Sequence, residues 1–71
     1  MPYPELAEVE TATSLQLARW SRHLDSPGLH AAGRPDFEAV FAKEKAVAER
    51  VAERFHEAGG WTPSLSKAVG W

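Results

Sequence analysis

The sequence predicts an all-α protein on three observations. Apolar residues recur at three- and four-residue steps, alanine and glutamate are abundant while isoleucine is absent, and Thr, Pro and Gly sit where helices begin and end. Of the 71 residues 12 are alanine, leaving 19 larger apolar side chains to build a core. Few residues are β-branched, so local propensity favours helix over strand. For a 7.8 kDa chain, surface scaling gives roughly 4,400 Å² of folded surface and about 60% burial. One small domain over residues 1–71 is expected, with a thin core.

Met1-Pro2-Tyr3-Pro4 opens extended, because two prolines restrict their neighbours to β or polyproline geometry. Leu6, Val9, Thr13, Leu17, Trp20 and Leu24 follow at steps of three and four, the apolar face of a first helix. Thr13-Ser14-Leu15-Gln16 fits a capping box, which places a firm helix at about 14–24. Residues 5–12 can be a helical turn, an extended arm, or part of the same helix. Ser26-Pro27-Gly28 ends this helix, and 25–34 reads as a connection.

Pro35 suits the first position of a long helix over about 35–58, with Asp36 and Glu38 set favourably against its dipole. Phe37, Val40, Phe41, Ala48, Val51, Phe55 and Ala58 form its apolar face, flanked by Val47 and Ala52, and Glu44 interrupts the stripe. Lys45–Glu49, Arg50–Glu53 and Arg54–Glu57 are spaced to pair along its outer side. Gly59-Gly60 stops it. Thr62 as N-cap, Pro63 as first residue and Gly70 as terminator define a miniature last helix, with Leu65 and Val69 facing inward and Trp61 and Trp71 flanking it. The expected architecture is a two-helix hairpin with a short third helix, open to oligomerisation. A helix of about 24 residues is roughly 35 Å long, longer than the first, so part of its apolar face should lack a partner within the chain.

Composition also bounds function. Without cysteine there is no disulfide framework and no Cys-based zinc site. No apolar run suits a membrane span and no signal pattern opens the chain, so a non-secreted protein with no membrane partner is expected. A net charge of −2 argues against wrapping nucleic acid. His23, His30 and His56 lack metal-type spacing, and neither a nucleophile elbow nor a phosphate loop is present, so no catalysis, metal or cofactor is expected.

Arg19, Trp20, Arg22 and His23 make the most distinctive polar constellation, cations beside an aromatic ring that could hold phosphate or a partner's carboxylates. The same cations would also offset the dipole at a helix end. A helix-turn-helix formed by the last two helices offers only Lys67 to DNA, while Glu49, Glu53 and Glu57 oppose phosphate. The three tryptophans can close the alanine-rich core or anchor an interface. Candidate partner-binding residues are therefore Arg19, Trp20, Arg22, Trp61, Lys67 and Trp71.

Residues 17–28 (LARWSRHLDSPG) and 59–71 (GGWTPSLSKAVGW), about a third of the chain, resemble motifs of a group of small tailed-bacteriophage proteins. The resemblance implies a phage setting, in the host cytoplasm or the virion, and brings no catalytic residue. The expected function is a non-enzymatic protein-interaction module, a virion or assembly accessory, whose partner is itself, a virion protein or a host protein. One alternative is an inhibitor of a host enzyme or defence complex that presents Glu49, Glu53 and Glu57 as a phosphate mimic. A small nucleic-acid binder using Arg19, Trp20 and Arg22 is the second.

Overall fold

The computed structural model describes residues 2–70, and these are helical with no strand among them. The elements are α1 (Leu6–Thr11), α2 (Ser14–His23), a 3-10 turn (Leu29–Ala31), α3 (Phe37–Glu57) and α4 (Pro63–Val69). The all-α class holds, but two main helices and a short third become four. The first expected helix divides because Ala12 and Thr13 are both extended, with ψ of 149° and 164°. Thr13 Oγ1 then accepts from the Gln16 amide at 3.2 Å, the N-cap bond that starts α2. Residues 6–11 therefore form a separate helix rather than a continuation of α2.

Pro35 is not the first residue of its helix as expected: α3 begins two residues later with Asp36 at the N-cap, and it ends just before Gly59-Gly60 as predicted. In α4, Thr62 Oγ1 accepts from the Leu65 amide at 3.1 Å, and Gly70 closes the helix at φ 76°. Such caps are worth about 1 kcal/mol each, a large share for a helix of only 7 residues.

α3 is the spine. α1, α2 and the 3-10 turn pack against it, while α4 packs on α2. Val9, Leu17, Ala18, Trp20, Val47, Val51 and Phe55 form the buried core, with Tyr3, Ala12, Leu24, Leu65 and Val69 half-buried around it. On α3 the inward face therefore runs through Glu44, Val47, Val51 and Phe55, rather than through the full predicted stripe. Phe37, Phe41 and Ala58 are exposed, as is Leu6 on α1. The reason is length. At 1.5 Å per residue the 10 residues of α2 reach only about half as far as the 21 of α3. The shortage of cover anticipated from helix lengths is thus located at the N-terminal third of α3.

Polar contacts attach α1. Arg54 Nη1 donates to the Val9 carbonyl at 2.6 Å and to that of Ala12 at 3.4 Å, satisfying the end of α1. This replaces the expected pairing of Arg54 with Glu57. Arg50 grips Glu10 with two bonds, Nε–Oε2 at 2.7 Å and Nη2–Oε1 at 2.9 Å. The molecule measures 41 × 24 × 14 Å between Cα extremes. Its accessible surface of 4738 Å² exceeds the scaling value, as an elongated shape requires.

Candidate interaction surfaces

The cation-and-tryptophan constellation on α2 does not form one surface. Trp20 is only 7% exposed and belongs to the core, which corrects its expected role as a partner-facing ring. Arg19 remains exposed. Arg22 turns inward to the chain's own end: Nη1 donates to the Gly70 carbonyl at 2.8 Å, and the guanidinium carbon lies 4.3 Å from the Trp61 ring centre. Trp61 meets Phe55 edge-on, with ring centres 5.1 Å apart. Arg22, Trp61 and Phe55 thus clamp α4 onto α2 and α3 through a cation–π contact and a T-shaped pair. Trp61 still shows 40% of its surface, and Lys67 is exposed on α4. Trp71 lies outside the described residues.

The acidic face carries its own cations. Glu53 and Glu57 lie 3.6 and 3.7 Å from Arg50 Nη1, and Glu49 lies 4.0 Å from Lys45. Arg50 serves Glu10 at the same time. The hydrogen bond to Arg50 lowers the Glu10 carboxyl below its usual range, and Glu10 in turn raises the guanidinium. A row of carboxylates whose charge is shared with two cations is a weaker phosphate mimic than its spacing suggested.

The least anticipated feature is Glu44. It is buried at the level where the stripe seemed broken. Its Oε1 accepts from the Gly28 amide at 2.9 Å, and Oε2 lies 3.5 Å from His30 Nε2. Gly28 is itself buried with φ at 75°. A Cβ there would meet Phe37 Cε2 at 2.9 Å and Phe41 Cβ at 3.2 Å. The left-handed backbone and this close approach both call for glycine. The carboxylate thus holds the connection between α2 and α3 by its backbone. Its only trace in the sequence was a charged residue in register with Phe37 and Val51.

Tyr3 closes the same end. Its hydroxyl donates to the Asp25 carbonyl. Burial holds the phenol above its ordinary range, and the Glu44 and Asp25 carboxylates reinforce this. A hollow of about 300 Å³ lies beside it, lined by Pro2, Tyr3, His30, Val40, Glu44 and Val47. No group of three or more His, Cys, Asp or Glu residues among the described residues is placed to hold a metal ion. No helix among them is long and apolar enough to cross a membrane.

The largest exposed apolar groups at one place on α3 are Phe37 and Phe41, 36% and 39% exposed. They stack with ring centres 5.8 Å apart and planes inclined by 28°. Leu29, next to Gly28 on the segment that crosses these rings, is 59% exposed. No family model, no curated protein and no solved structure matches the chain.

Proposed function

We propose that this protein is a non-enzymatic protein-interaction module that docks through the N-terminal third of α3. The Phe37–Phe41 pair carries the reading: two rings stacked in one orientation and still more than a third exposed. Rings fixed this way lose little conformational freedom on binding, and aromatic side chains are favoured anchors at interfaces. Leu29 extends the apolar area, while Glu38 and Lys45 border it on the same helix.

This surface differs from the one the sequence singled out. Trp20 and Arg22 support the module from within by fixing the helices that hold α3. Arg19, Lys67 and part of Trp61 remain exposed outside this surface. The phage-type motifs at residues 17–28 and 59–71 suit a virion or assembly accessory acting in the host cytoplasm or the virion. Immobilised wild-type protein and Phe41→Asp, exposed to lysate of phage-infected cells, test the reading. A partner retained by the wild type and lost from Phe41→Asp is expected. Recovery of the same proteins by both, or of none by either from a wild type that also sediments at its chain mass, overturns it.

A further inference from the structure

We infer that the occupant of this surface is a second copy of the chain, packed antiparallel along the N-terminal half of α3. The inference rests on the docking surface just proposed and adds its partner. The charge pattern beside the rings carries it. Glu38 and Lys45 are seven residues apart, two turns less about 20°, so they border Phe41 on one flank of the helix. Both are exposed. Glu38 makes no ion pair among the described residues, and Lys45 has only a 4.0 Å contact with Glu49.

A two-fold axis passing beside Phe41 sets residue 38 of one copy level with residue 45 of the other. Glu38 then meets Lys45 of the second copy, and symmetry repeats the pair. The two Phe41 rings lie at the axis, each at the level of the other copy's Ala42, which is small and exposed enough to admit close approach. A parallel pairing instead sets Glu38 against Glu38 and Lys45 against Lys45, with two repulsions where the antiparallel pair has two attractions. The rings provide the apolar area and the charges select the direction.

Sedimentation equilibrium of the full chain, up to millimolar concentration, reads the result. The wild type is expected to reach twice its 7.8 kDa chain mass. Glu38→Lys or Lys45→Glu should each weaken the dimer at least tenfold, because each sets like charges together. The double variant Glu38→Lys/Lys45→Glu should restore it. Both positions are exposed, so circular dichroism should show that these variants stay folded even if Phe41→Asp does not. A wild type that remains at the chain mass overturns the dimer, while the lysate comparison separately judges the docking surface. A dimer indifferent to all three charge variants and to Phe41→Asp places the contact elsewhere and overturns the second copy as occupant of this surface. A double variant no tighter than the single ones overturns the antiparallel register.

Discussion

Replacing Gly28 by alanine should destabilise the fold far more than the same change at Gly33. Both glycines are left-handed, with φ of 75° and 82°, so each alanine incurs a left-handed cost of about 1–2 kcal/mol. The effect of the new methyl on the unfolded chain is the same at both sites and cancels in the comparison. What differs is space. At Gly33 nothing lies within 4 Å of the added Cβ, whereas at Gly28 it meets Phe37 Cε2 at 2.9 Å and Phe41 Cβ and Cα at 3.2 and 3.4 Å. The Phe37 ring can yield only by leaving its stack on Phe41, and the Phe41 backbone belongs to α3. Overpacking of this kind costs about 1–3 kcal/mol. Any retreat of residue 28 also stretches its bond to Glu44. Gly28→Ala should therefore lose about 2–5 kcal/mol and Gly33→Ala about 1–2. Urea unfolding followed by circular dichroism, at one protein concentration for all variants, measures the difference. With a slope near 1 kcal/mol per molar urea, the two midpoints should differ by about 1–3 M. Equal midpoints would refute the reasoning that Gly28 is fixed by contact as well as by φ.

Glu44→Gln keeps an oxygen acceptor for the Gly28 amide and should cost under about 1 kcal/mol, while Glu44→Leu leaves that amide unpaired and should cost about 1–3; thermal unfolding ranks them, and a leucine variant as stable as the glutamine one counts against the latch. Arg54→Ala removes the donor to the Val9 and Ala12 carbonyls. Because a 6-residue helix cannot persist without tertiary support, amide exchange in α1 should accelerate while α3 stays protected. Uniform acceleration would show that α1 is not separately anchored. The pH profile should fall at both ends. Glu10 has a folded pKa lowered from 4.5, so its contribution is complete above that value and is lost as pH falls through the lowered one. Tyr3 is raised from 10.0, so its contribution is present below that value and is lost as pH rises through the raised one. Glu10→Gln should flatten the acid limb and Tyr3→Phe the alkaline limb, and unfolding midpoints across pH check both.

Local rules were readable because they act within a few residues. Thr13, Thr62, Pro63 and Gly70 gave the caps of α2 and α4, and Gly59-Gly60 the end of α3. The break at Ala12 was harder to place, since residues 5–12 carry the same apolar steps as a continuous helix. Pairs along α3 were readable where the partner is also on α3, as for Lys45–Glu49 and Arg50–Glu53. They failed for Arg54, whose partners lie 42 and 45 residues away. Trp20 was misjudged as a partner-facing ring for the same reason. Whether Trp20 faces solvent, or Arg22 reaches Gly70, depends on contacts up to 48 residues apart. A helical wheel finds an apolar stripe but not how far its neighbours extend along it. Phe37 and Phe41 belong to the stripe and yet emerge from its cover, while Glu44 breaks the stripe and yet is buried.

The 14 Å thickness has a mechanical meaning. Two helices in contact have axes 8–10 Å apart, and adding the Cα radius of about 2.3 Å at each outer side uses the whole span. The core is therefore a single stratum of side chains between two backbone layers, closed at its edges by half-buried Tyr3, Ala12, Leu24, Leu65 and Val69. In a thicker protein, trimming Val47 or Val51 leaves an enclosed gap whose loss of contacts adds to the transfer cost. Here the half-buried ring is the edge of the core, so such a gap can collapse between the two layers or open at that edge. Shortening a core valine should cost little beyond its transfer free energy, while loosening one of the polar fasteners at the edge releases a whole helix.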